Sequence, residues 1–113
     1  MVAYADVTYY RDSFLGFLIP EGQFPTYAAR ASEYLDSLTF GAIPADVPDA
    51  VRMACCAVAE EGYRLELGRV ASERAGDYTV TYETGGRAGK ERLHEAALMY
   101  LADTGLVFRG VRP

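Results

Sequence analysis

The chain has 113 residues, of which half are hydrophobic and 24% charged, and its formal net charge is −5. That length fits a single domain spanning residues 1–113 with one modest core, roughly 65% of the unfolded surface being buried at this size, and the composition excludes a disordered chain. The negative balance argues against a general nucleic-acid binder, and no run is apolar enough to span a bilayer.

The opening residues Met1-Val2-Ala3-Tyr4-Ala5-Asp6 lack a basic region followed by a hydrophobic stretch. A cytoplasmic product without a signal peptide is therefore the expectation. Asp6 offers an N-cap for a short helix through Tyr9, Tyr10 and Phe14, which Gly16 ends. Phe17-Leu18-Ile19 reads as an apolar plug, and Pro20-Glu21-Gly22 as a turn.

The second helix is the clearest. Phe24, Tyr27, Ala28, Ala31, Tyr34, Leu35 and Leu38 recur at steps of three and four, with Arg30, Glu33 and Asp36 facing outward. Pro25 fits only near the first turn, where its missing N–H costs nothing, and Gly41 stops the helix. A rigid connector, Ile43-Pro44-Ala45-Asp46-Val47-Pro48, leads to a third helix that begins near Pro48 or Asp49. Its stripe is Val51, Ala54, Cys55, Val58, Gly62 and Leu65, widened by Met53, Ala57 and Ala59. A helix apolar around so much of its girth is the central one of a bundle. The expected end is near Leu67-Gly68.

Residues 77–83, Asp77-Tyr78-Thr79-Val80-Thr81-Tyr82-Glu83, alternate apolar and polar side chains and favour a strand. No partner strand is obvious unless residues 67–72 pair with it, and a lone strand invites pairing with another chain. Residues 85–89 form a glycine-rich loop. A fourth helix covers residues 90–103, with the stripe Leu93, Ala96, Ala97, Tyr100 and Leu101. The predicted fold class is mainly α: a small bundle of about four helices, with an extended loop or β-strand between the third and fourth. After the last helix, Leu106, Val107, Phe108 and Val111 lie in a short segment with Arg109 and Arg112. Apolar residues there predict docking, on the chain's own core or on another protein.

Chemistry-bearing residues are few. Cys55 and Cys56 are adjacent, too close to bridge without strain, and read as buried free thiols. His94 lies beside Glu91 and Glu95, without a positioned nucleophile, and reads as a surface histidine. Glu60 and Glu61 point about 100° apart on a helix and read as solvating groups. Gly85-Gly86-Arg87-Ala88-Gly89-Lys90 lacks the spacing and the Ser or Thr of a phosphate loop. No catalytic, cofactor-binding or metal residues are assigned, and no cofactor is expected. The nine tyrosines suit either a semi-wet interface or the rim of a small core. Residues 1–86 hold 6 basic and 13 acidic groups, a balance of −7, and residues 87–113 hold 5 and 3, a balance of +2.

Two blocks stand out in this order of elements. One is Ser72-Glu73-Arg74-Ala75-Gly76-Asp77-Tyr78-Thr79-Val80, and the other runs Leu101-Ala102-Asp103-Thr104-Gly105-Leu106, then Arg109-Gly110-Val111. With the short first helix, the Leu18-Ile19-Pro20-Glu21 turn and the Ala/Cys-rich third helix, the chain resembles the head–tail connector, or adaptor, proteins of tailed bacteriophages and of prophages in Gram-positive bacteria. The resemblance covers nearly the whole chain. It implies a helical bundle with an extended central loop, and a homo-oligomeric ring beneath the portal protein that lengthens the DNA channel. The ring would receive the next connector, a stopper or a tail protein. DNA would pass without specific binding, no membrane would be involved, and the product would belong to the virion after assembly in the host cytoplasm. The resemblance also implies that Leu106, Val107, Phe108, Arg109, Gly110 and Val111 reach the portal, and that Ser72, Glu73, Asp77, Tyr78, Val80 and Tyr82 contact neighbouring subunits. Pro25 departs from the pattern, standing where relatives tend to continue the helix.

Three other classes compete. A small regulatory or antitoxin-like helical module would bind one partner protein and form a dimer or a 1:1 complex. A helix-turn-helix is disfavoured by the long connector at residues 40–48 and by the apolar third helix. An enzyme is the weakest reading, because no nucleophile, base and oxyanion donor can be named together.

Overall fold

Four helices order the chain: α1 (Val7–Asp12), α2 (Phe24–Leu38), α3 (Asp49–Ala75) and α4 (Gly89–Leu101). The computed structural model describes residues 3–75, 89–102, 104 and 106, with residues 70–75 as backbone only. Among these residues the fold is mainly helical and contains no strand. The expected strand at residues 77–83 lies outside the described residues.

Each helix boundary has a local cause. The Asp6 carboxylate accepts the Tyr9 backbone N–H at 2.8 Å and caps α1. Pro25 lies in the first turn of α2, as the sequence requires. At the other end of α2, Thr39 donates its hydroxyl to the Leu35 carbonyl at 2.8 Å. Phe40 then turns left-handed, at φ 56°, and Gly41 follows at φ 74° while donating its N–H to the Asp36 carbonyl at 2.9 Å. Helix α3 opens immediately after Pro48, with Asp49 in its first turn.

The third helix is longer than its sequence suggests. It does not stop at Leu67-Gly68 but runs 27 residues to Ala75, about 40 Å. Residues 67–72 are therefore helical and are not a strand partner for residues 77–83. Arg64 is 3.7 Å from Glu60 and 2.7 Å from Glu61, and Arg69 pairs with Glu66. Ion pairs at these spacings support a helix without tertiary help, and they absorb the roughly 1 kcal/mol that an internal glycine such as Gly68 costs.

The core joins Tyr10, Ile19 and Phe24 to Leu35, Val51, Cys55, Cys56, Ala97 and Leu101, all fully buried. Helix α3 packs against both α2 and α4, so its predicted central position holds. The apolar plug is corrected. Only Ile19 is buried, while Phe17 is 85% exposed. Among the described residues, Ser32 and Thr39 are the buried polar ones, and each hydroxyl is bonded to a carbonyl one turn back.

Candidate functional site

The N-terminal segment is clamped by tyrosines. The Tyr4 phenol donates to the Asp36 carboxylate, the Tyr9 phenol to Asp49 at 2.7 Å, and the Tyr10 phenol to Glu60 at 2.6 Å. Tyr4 is held twice more: its N–H donates to the Ser32 hydroxyl at 2.9 Å, and its carbonyl accepts from the Arg52 guanidinium at 2.9 Å. The Tyr10 ring stacks on Phe24 at 4.5 Å, and its hydroxyl accepts the Ile19 N–H at 3.0 Å. Burial and then the carboxylate partner push the Tyr4 and Tyr10 phenols up to about 12, and the same causes raise Tyr9.

Glu60 therefore does more than solvate the helix surface. It accepts from a fully buried tyrosine while its other oxygen faces Arg64. Tyr27 and Tyr63 meet edge to face at 5.2 Å, and the Arg30 guanidinium lies 5.4 Å from the Tyr27 centroid. Tyr100 meets Phe14 at 6.4 Å, and Tyr34 is half-buried. Of the seven described tyrosines, Tyr10 lies in the core and the other six pack along its rim. Tyr78 and Tyr82 lie outside the described residues.

Cys55 and Cys56 are buried and unbridged, as expected. Burial raises both thiols, and the Tyr4 and Ala5 backbone N–H groups lie against Cys55. A thiol held in its neutral form is a poor nucleophile. His94 is exposed on α4 between Glu91 and Glu95. It shares a shallow, open depression with Tyr34, Lys90 and Leu93. Among the described residues no group of His, Cys, Asp and Glu is placed to hold a metal ion, and no helix is long and apolar enough to cross a membrane.

The expected docking segments are only partly described. Leu106 is half-buried against the chain's own core, and its N–H donates to the Thr104 hydroxyl at 3.1 Å. Val107, Phe108, Arg109, Gly110 and Val111 lie outside the described residues. Ser72 and Glu73 stand on the last turns of α3 rather than in a loop, and Asp77, Tyr78, Val80 and Tyr82 lie outside the described residues.

Sequence reasoning missed a second set of surface residues. Leu15 is 65% exposed, Phe40 78% and Met99 73%, in addition to Phe17. Among the described residues, Leu15 and Phe40 are the non-glycine residues with positive φ, at 63° and 56°. Both follow a helix end, where glycine is the least strained choice. A bulky apolar residue just past a predicted helix terminus was the available signal. No protein-family model, curated protein or solved structure matches the chain.

Proposed function

We propose that the chain is a head–tail connector subunit of a tailed bacteriophage or a related prophage. Its copies form a ring beneath the portal, extend the DNA channel and receive the next connector, stopper or tail protein. The observation that carries this reading is the resemblance in the sequence blocks at residues 72–80 and 101–111. A mainly helical fold with a long central helix agrees with it. The net charge of −5 suits a wall past which DNA slides, since a positive wall would bind phosphates. The exposed Phe17, Phe40 and Met99 supply apolar surface for protein neighbours.

The segment proposed to reach the portal is residues 107–111, because Leu106 already packs on its own core. Deleting residues 107–113 should leave the helical content unchanged and abolish portal binding in a pull-down. The test of the whole reading is the oligomeric state, from light scattering over a range of concentrations with negative-stain microscopy. Closed rings, or a monomer that closes into rings as concentration rises, are expected. A fixed dimer at every concentration would overturn the reading in favour of a small regulatory module.

A further inference from the structure

Residues 3–14 form an arm that is fastened mainly through side chains. Ser32 of α2 and Cys55 and Cys56 of α3 lie beneath it, and all three are small and fully buried. These short side chains leave room that residues 4–10 fill. The Tyr4 N–H bonds Ser32, the Tyr4 and Ala5 backbone faces Cys55, and the Tyr4, Tyr9 and Tyr10 phenols reach Asp36, Asp49 and Glu60. The groove is therefore built for one ligand, a segment with the sequence of this arm.

The link from arm to body is short and strained. Leu15 is left-handed at φ 63° with its side chain 65% exposed, so burial does not offset the backbone cost. Gly16 lies so close to the Tyr10 ring that a Cβ there would overlap it, and its N–H donates to the Tyr10 carbonyl at 2.9 Å. Phe17 follows, 85% exposed. A short strained hinge invites exchange of the element it carries, because an extended hinge relieves the strain while every arm–groove contact is remade between copies. Here the exchange gives up the Gly16–Tyr10 bond and keeps the three phenol–carboxylate bonds.

We infer that the arm is exchangeable: when copies assemble, residues 3–14 of one copy occupy the α2–α3 groove of the next. The hinge carrying Leu15 and Phe17 then runs between the two copies. Passing each arm onward links copies head to tail, and the closure of that series rests on the ring reading above.

The test records whose arm fills whose groove. An Ala5→Cys, Cys56→Ala variant puts a thiol on the arm segment whose backbone faces Cys55, and oxidation is expected to join arm to groove, a single-chain crosslink in the unassembled fraction being the control. Exchange predicts crosslinked species of two or more chains on a non-reducing gel of the assembled fraction. Crosslinks confined to single chains in that fraction would overturn the inference and leave the ring reading intact. Exchanged dimers without rings would do the reverse.

Hinge variants of the unmodified chain give a second readout. Leu15→Gly removes the left-handed penalty and should lower the ratio of assembled to single chains about fivefold at equal concentration. Leu15→Pro cannot adopt a positive φ and should raise that ratio. An unchanged mass distribution for Leu15→Gly would also overturn the inference.

Discussion

The two halves of α3 form a helix for different reasons. From Val51 to Ala59 the helix carries six buried side chains: Val51, Ala54, Cys55, Cys56, Val58 and Ala59. From Glu60 to Arg69 no described residue is buried, and the side chains pair along the helix instead, Arg64 with Glu60 and Glu61 and Arg69 with Glu66. The first half is helical because α2, α4 and the N-terminal arm close around it. The second half is tied to the body only at its start, by the Tyr10–Glu60 bond and the Tyr27–Tyr63 contact, and beyond Arg64 it depends on local propensity and pairs worth about 0.2–0.5 kcal/mol each. Residues 49–59 should thus respond to changes in volume, and residues 60–75 to changes in backbone propensity.

The largest effect is expected at Tyr10, whose ring stacks on Phe24 and whose phenol reaches Glu60 where the two halves meet. Tyr10→Ala removes a fully buried aromatic and leaves the Ile19 N–H without its acceptor. The expected loss is about 3–5 kcal/mol in urea unfolding. A loss below about 1 kcal/mol would show that the arm contributes little to the fold.

Alkaline titration acts on the same clamp. The Tyr4 and Tyr10 phenols sit near 12 in the folded chain, above the ordinary value of about 10. The folded state thus keeps protons that the unfolded state releases. This contribution is fully present below about pH 10 and is lost as pH rises through about 12. Stability measured by circular dichroism should fall over that window. Tyr10→Phe, which cannot ionise, should flatten part of the decline.

Overpacking separates the halves further. Ala54→Leu adds volume at a fully buried site and should destabilise by about 1–3 kcal/mol. Gly68→Ala, in the second half, meets nothing within 4 Å. It should stabilise the chain by up to about 1 kcal/mol through helix propensity alone. If both substitutions moved the thermal midpoint in the same direction, the contrast between the halves would fail.

Much of the helical arrangement was legible in the residues. The i, i+3 and i+4 spacing from Phe24 to Leu38 predicts α2 and its buried face, because burial of one stripe is a local property of a helix. Cys55 and Cys56 were readable as buried thiols for the same reason. The end of α3 was not readable. Gly68 looks like a stop in sequence, whereas the surrounding ion pairs carry the helix past it. Ser72 and Glu73 stand on α3 in consequence. The tyrosine clamp was also hidden, since Tyr4–Asp36 and Tyr10–Glu60 are separated by 32 and 50 positions. No local pattern reports pairs so far apart.

The sequence by itself determined the mainly helical class and the central place of the third helix. These follow from periodicity, side-chain size and residue type, which act over a few neighbouring positions. Only the tertiary structure decided that Glu60 serves a buried phenol, that Phe17 faces solvent while Ile19 enters the core, and that Leu15 takes a left-handed turn. Those outcomes depend on which distant surfaces meet. That is set by the closure of the whole chain around α3, and not by any segment within it.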